Sequence, residues 1–202
     1  GRLIPRSWAP DSDGRLGLPP PLPPVSGSRM AHLTQLIDGY YRFRGSRWPQ
    51  ERKRWAELAE GQSPRVMVIA CSDSRVDPAQ IFDARPGEMF VVRNVANLAP
   101  PYETTRGLHG VSAAVEFAVT QLEVEEILVL GHGSCGGCAA ALTGQSDGAE
   151  PGDGHFIANW VRQLHAARDL VLERHREITP EAILEMQLES VTSSLATLRT
   201  FP

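Results

Sequence analysis

The chain has 202 residues, 42% of them hydrophobic and 22% charged, with a formal net charge of −4. That balance suits a globular α/β domain with a real core and gives no general attraction to nucleic acid. No apolar run approaches the roughly 18 residues that span a bilayer, and no charged segment followed by an apolar one opens the chain as a secretory signal would. Neither a nucleic-acid nor a membrane partner is expected. The three cysteines, Cys71, Cys135 and Cys138, do not suggest a disulfide framework. They fit metal binding or thiol chemistry in a reducing compartment, which points to the cytoplasm.

Residues 1–29 differ from the rest. Pro5, Pro10, Pro19, Pro20, Pro21, Pro23 and Pro24 lie among Gly, Ser and Asp with few apolar residues. Such a stretch cannot offset its ordering entropy and reads as a disordered extension. A structured domain is then expected over 30–202. The spacing of Leu33, Leu36, Ile37, Tyr40 and Tyr41 predicts a helix over 31–44, and a second is expected over 50–60. The surrounding Arg42, Arg44, Arg47, Arg52, Lys53 and Arg54 read as a solvated helix surface or a dimer contact.

Three short apolar runs follow: Val66 to Ala70, Met89 to Val92, and Ile127 to Leu130. They are continuous rather than alternating, as expected for strands of a parallel sheet buried on both faces. A helix over 110–122 carries Val111, Val115, Ala118 and Leu122 on one face. The fold class is therefore α/β, a mainly parallel central sheet flanked by helices. Residues 139–142 look helical, and 144–154 are a Gly-rich loop. Phe156, Ile157, Trp160, Val161, Leu164 and Val171 predict one amphipathic helix. Thr179-Pro180 starts the last, with Thr as N-cap and Pro at the first position. Its apolar residues are Ile183, Leu184, Leu188, Val191, Leu195 and Leu198.

Ligands of open α/β sheets gather beyond the carboxyl ends of strands. Two motifs fall there: Cys71-Ser-Asp-Ser-Arg75 after one strand, and Gly131-His-Gly-Ser-Cys-Gly-Gly137 after another. If the strands are neighbours, Cys71, His132 and Cys135 converge. Two thiolates and an imidazole suit zinc, and three protein ligands leave a fourth position for water. Two thiolates neutralise the ion's formal charge, so this site acidifies water less than an all-histidine site would. A further group is needed to orient hydroxide. Asp73 can accept its hydrogen bond, and Arg75 can keep Asp73 ionised. Cys138 leaves two competing readings open: a closed four-ligand structural zinc site, or a redox pair with Cys135. The favoured reading makes Cys138 a small buried residue on the next helix. The other histidines lack ligand spacing.

These motifs resemble the β-class carbonic anhydrases, together with Val91-Val-Arg-Asn-Val-Ala-Asn97, Gly107 to Val119 and Leu195 to Pro202. The similarity covers about 31–202. It implies one Zn2+ per chain and reversible hydration of carbon dioxide to bicarbonate and a proton, by zinc-bound hydroxide oriented by Asp73 and Arg75. It also implies a homodimer or higher homo-oligomer, with N-terminal helices embracing the partner. By resemblance Cys71, His132 and Cys135 are the metal ligands, and Asp73 joins them only in a closed form. Gln62, Phe90, Val95, Phe117 and Gly136 are substrate-side residues. Gln62 resembles the plant-like, open-site subclass. Phe117 stands where many of its members have Tyr, and Cys138 where an apolar residue is common. The family normally continues past the Phe-Pro with another strand, so an edge strand is expected to be missing. Two other readings remain: a carbonyl sulfide or carbon disulfide hydrolase on a similar scaffold, and a non-catalytic zinc-binding homologue.

Overall fold

A computed structural model describes residues 31–202. The expectation for residues 1–29 lies outside the described residues. Among those described, the helices are α1 (Ala31–Gly45), α2 (Arg47–Gln50), α3 (Arg52–Glu60), α4 (Pro78–Ile81), α5 (Gly110–Thr120), α6 (Gly136–Thr143), α7 (His155–Val161), α8 (His165–His175) and α9 (Pro180–Leu198). The strands are β1 (Val66–Cys71), β2 (Met89–Asn94) and β3 (Glu126–Leu130). The chain divides into two compact units, one ending at Arg52 and the other spanning Lys53–Pro202. In the first, the Arg44 guanidinium lies 5.0 Å from the Trp48 ring centroid, and Arg47 pairs with Glu51.

In the second unit, β1 lies between β2 and β3, and both pairings are parallel. Met67, Val68, Ile69 and Ala70 are fully buried, which is why this strand reads as an unbroken apolar run. Helix α5 buries Val115 and Ala118 against Met67 and Ile69 on one side of the sheet. On the other, α6, α8 and α9 bury Leu142, Val171 and Met186 together with Cys71, Cys135 and Cys138. The α/β class is therefore the observed architecture.

Two helical readings are corrected. The single helix through Phe156 and Val171 is three pieces: α7, a 3-10 turn over Arg162–Leu164, and α8. The tighter turn has three residues per revolution. It brings Val161, Leu164 and Ala167 into the core at three-residue spacing, and leaves Phe156 81% exposed. In α9 the buried seam is not the leucine face. It is Ala182, Met186, Gln187, Ser190 and Ser194, while Leu188 is 61% exposed.

The cause is the irregular backbone after β2, which α9 covers. Ser194 Oγ donates to Asn97 O at 3.0 Å and accepts from Ala99 N at 3.2 Å. Thr197 Oγ1 donates to Ala99 O. Buried backbone groups outside a sheet need such partners, so short hydroxyl side chains outrank leucines on this face. The predicted start of α9 is observed: Thr179 accepts from Ala182 N at 3.2 Å, with Pro180 at the first position.

Met186→Ala should lower stability by about 2–5 kcal/mol through lost burial and a cavity. Leu188→Ala should cost less than about 1 kcal/mol. Urea unfolding midpoints of the two variants check this ordering.

Candidate metal centre

The strand register brings the two cysteine motifs together. Ala70 pairs with Leu130, so Gly131 leaves β3 level with Cys71, the last residue of β1. His132 and Cys135 follow within one turn. The ligand atoms of Cys71, His132 and Cys135 lie within 4.8 Å of one another, and the two sulfurs are 3.8 Å apart. Cys71 and Cys135 are buried. His132 Nδ1 lies 2.8 Å from Gly133 O. A carbonyl only accepts, so Nδ1 carries the proton and Nε2 presents a lone pair. That Nε2 is buried and has no hydrogen-bond partner. Buried polar atoms are almost always satisfied, so an orphaned imidazole nitrogen facing two thiols marks a site suited to a metal ion.

Local backbone fixes these positions. Ser134, between His132 and Cys135, has φ 55°, an unusual conformation for a residue with a Cβ. Cys135 then caps α6. A Cβ on Gly137 would fall 2.6 Å from Val95 Cγ1 and 3.0 Å from Ala96 Cβ, so only glycine lets α6 begin this close to the turn after β2. That turn, Val95–Asn97, is closed by the Asn94 amide, which donates to Leu98 O and accepts from Leu98 N, both at 2.8 Å.

Cys138 is excluded from the group of three, as expected for a buried packing residue. It is nonetheless a neighbour. Its thiol hydrogen bond and the amide N–H groups of Gly137 and Cys138 bring Cys135 down to about 5. The same contact, with burial, pushes Cys138 up. Cys71 is raised by burial. Cys135 is thus the thiol already favoured as thiolate, at the start of a helix where N–H groups stabilise anions.

Asp73 lies beside this group. Arg75 grips it with Nε at 2.8 Å from Oδ1 and Nη2 at 2.7 Å from Oδ2, and the Arg75 amide adds a 3.0 Å bond to Oδ1. The Arg75 side chain is the first cause holding the carboxyl well below the usual carboxylate range, and Asp73 reciprocally raises Arg75. Arg75 Nη2 also donates to Ser134 O at 3.0 Å. One guanidinium thereby links Asp73 to the turn that carries His132 and Cys135.

The residues expected on the substrate side separate into two sets. Val95 and the exposed Gly136 lie at the ligand end, beside Gly137. Gln62, Phe90 and Phe117 do not. Gln62 is exposed ahead of β1, and Phe90 pairs with Met67. At about 3.3 Å per residue, Phe90 is about 13 Å along the strand from Cys71. Phe117 keeps it company, with ring centroids 5.8 Å apart.

Two residues with evident roles went unassigned in the sequence. Arg93 donates to Cys71 O and Asp73 O, and Trp160 Nε1 donates to Val95 O at 2.7 Å. An arginine following Val91 and Val92 in a strand was the available signal for the first.

Residues 66–202 match the family model described as carbonic anhydrase. The chain belongs to the β-carbonic anhydrase family. It is 34% identical over 171 residues to a carbonic anhydrase of Synechocystis sp., and 35% identical over 172 residues to one of Synechococcus elongatus, covering 84% of this chain in each case. The chain spans 61% of the length of each of these relatives. Among solved structures, it resembles the β-carbonic anhydrase CcaA with TM-score 0.77 and 34% identity, over 85% of this chain and 75% of that one. It also resembles a structure from a study of two tetrameric β-carbonic anhydrases of Sordaria macrospora, with TM-score 0.72 and 28% identity, over 85% of this chain and 82% of that one. No helix among the described residues is long and apolar enough to cross a membrane.

Cys71→Ser and His132→Ala should each abolish stoichiometric metal binding, whereas Cys138→Ser should retain one metal ion per chain. Elemental analysis of the purified variants checks this.

Proposed function

We propose that this protein is a zinc-dependent carbonic anhydrase interconverting carbon dioxide and bicarbonate. The observation that carries the reading is the spacing of the site. Two Zn–S bonds of about 2.3 Å at a tetrahedral angle separate their sulfurs by about 3.8 Å. The Cys71 and Cys135 sulfurs are 3.8 Å apart, and the unpartnered Nε2 of His132 supplies the third ligand. Zinc held there would supply a Lewis acid that brings the pKa of water toward about 7.

The chain's own residues supply orientation. Asp73, held ionised by Arg75, would accept a hydrogen bond from the attacking oxygen and so orient it toward the carbon. Asp73 stays off the ligand set because both its oxygens are bound to Arg75. This pairing supports the open-site, plant-like reading. Val95 and Gly136 border the carbon dioxide pocket at the ligand end. Gln62, Phe90 and Phe117 would serve substrate only by joining a ligand set from a second copy. That separation, with the tetramers named for the Sordaria macrospora enzymes, supports a homodimer or larger assembly. Three free thiols support a reducing compartment, the cytoplasm. The catalytic domain is assigned to 30–202.

Stopped-flow assay of the zinc-loaded protein should show carbon dioxide hydration that a chelator abolishes. A folded, zinc-loaded protein without this activity would contradict the proposal, and turnover of carbonyl sulfide or carbon disulfide in its place would redirect it. Asp73→Asn should keep zinc but lower kcat by about 10²-fold or more, the scale of a lost orienting or proton-handling group. Unchanged kcat would remove Asp73 from the mechanism.

A further inference from the structure

Arg93 is the last but one residue of β2, and its guanidinium is spent on one short segment. Nε donates to Cys71 O at 2.9 Å, Nη2 to Asp73 O at 2.6 Å, and Nη1 to Asp77 Oδ2 at 3.0 Å. Asp77 in turn caps α4 by accepting from Gln80 N at 3.2 Å. The backbone adds a parallel tie, Ser72 N to Asn94 O at 2.8 Å. The segment from Cys71 to Asp77 leaves the sheet as an irregular loop, in which the Asp73 carbonyl accepts a turn bond from Val76 N at 3.2 Å and is otherwise fixed by Arg93. A planar group with several fixed donors holds the Cys71 and Asp73 carbonyls at once.

The chemistry of these contacts decides what Arg93 does. Its charge is met by Asp77 and its donors face protein oxygens, so it is not set up as an anion site. It touches neither the ligand atoms nor the Asp73 carboxylate. It holds instead the main chain on either side of Ser72, at the residue that presents a ligand sulfur and at the residue that presents the orienting carboxylate.

We infer that Arg93 is a positioning residue: it fixes the spacing of the Cys71 sulfur and the Asp73 carboxylate by clamping the carbonyls of both residues in one plane. Arg75 then sets the direction of the Asp73 side chain, and Arg93 sets where its backbone stands. The role rests on the proposed hydratase reading for its effect on rate, but not for its effect on the metal site. Lysine cannot replace it, because an ammonium is a point donor without the rigid fork that spans two carbonyls.

The test compares the 202-residue wild-type chain with Arg93→Lys and Arg93→Gln, each loaded with zinc for kinetics and with cobalt(II) for absorption spectroscopy. Both variants should bind one metal per chain. Their kcat should fall about 10- to 100-fold with KM little changed, the scale of a displacement of about 1 Å at a reacting group. Their thiolate-to-cobalt bands should shift, and Arg93→Lys should not rescue. Wild-type kcat and spectrum in Arg93→Lys would overturn the inference. So would wild-type kcat per folded, zinc-loaded molecule in both variants. If the variants do not fold, Asp77→Asn, which frees Nη1 but keeps an acceptor for the α4 cap, should shift the cobalt bands in the same direction. An unshifted spectrum there would overturn the inference. If wild-type protein proves inactive toward carbon dioxide, the hydratase reading fails, while the cobalt spectra still decide whether Arg93 positions Cys71.

Discussion

The parallel pairing of β1 with β3 is the constraint on which the site depends. Parallel strands leave a sheet on the same side, and the register sets the level at which they leave. With Ala70 opposite Leu130, the chain exits at Cys71 and Gly131 side by side. A shift of one residue would turn every side chain of β1 to the opposite face and would put the smaller Val68 and Ala70 where Met67 and Ile69 pack with Val115 and Ala118, so the unlike packing of the two faces favours the level at which the thiol appears. Packing energy in the sheet thus fixes the geometry of the ligands.

Around those exits the structure concentrates unusual backbone and charged clamps. Ala96, Asn97 and Ser134 all have positive φ, each at a cost of order 1 kcal/mol or more. They persist because surrounding contacts over-determine them: the Asn94 amide on Leu98, Ser190 and Ser194 on Asn97, and Arg75 on Ser134. Gly131 belongs to the same arrangement. A Cβ there would lie 2.7 Å from Val191 Cγ2, so a larger residue would push α9 off the end of β3 and away from the turn it satisfies. Two arginines divide the remaining work. Arg75 orients a carboxylate, and Arg93 holds the loop that carries it.

Much of this was legible in the sequence. The continuous apolar strands, the Cys71 and His132–Cys135 motifs after them, the Asp73–Arg75 pair, and the Thr179 cap are local patterns with local causes. What was not legible depends on partners far along the chain. The leucines of α9 suggested a buried face, but Asn97, Ala99 and Cys138 lie across from the helix and select Ser190 and Ser194. The break after α7 follows from a 3-10 turn that periodicity alone does not announce. Gln62 and Phe90 matched family motifs and Phe117 stands where Tyr is common, yet one chain keeps all three away from the ligand end of β1. Motif matching gives residue identity without saying which copy of the chain a residue serves.

The central claim is a three-ligand zinc site of two sulfurs and one nitrogen with an open fourth position. X-ray absorption at the metal edge of the zinc-loaded protein measures it directly. The account predicts two sulfur scatterers at about 2.3 Å, one imidazole nitrogen at about 2.0 Å, and one further light atom. Three sulfur scatterers, which would bring Cys138 onto the metal and close the site, would contradict it.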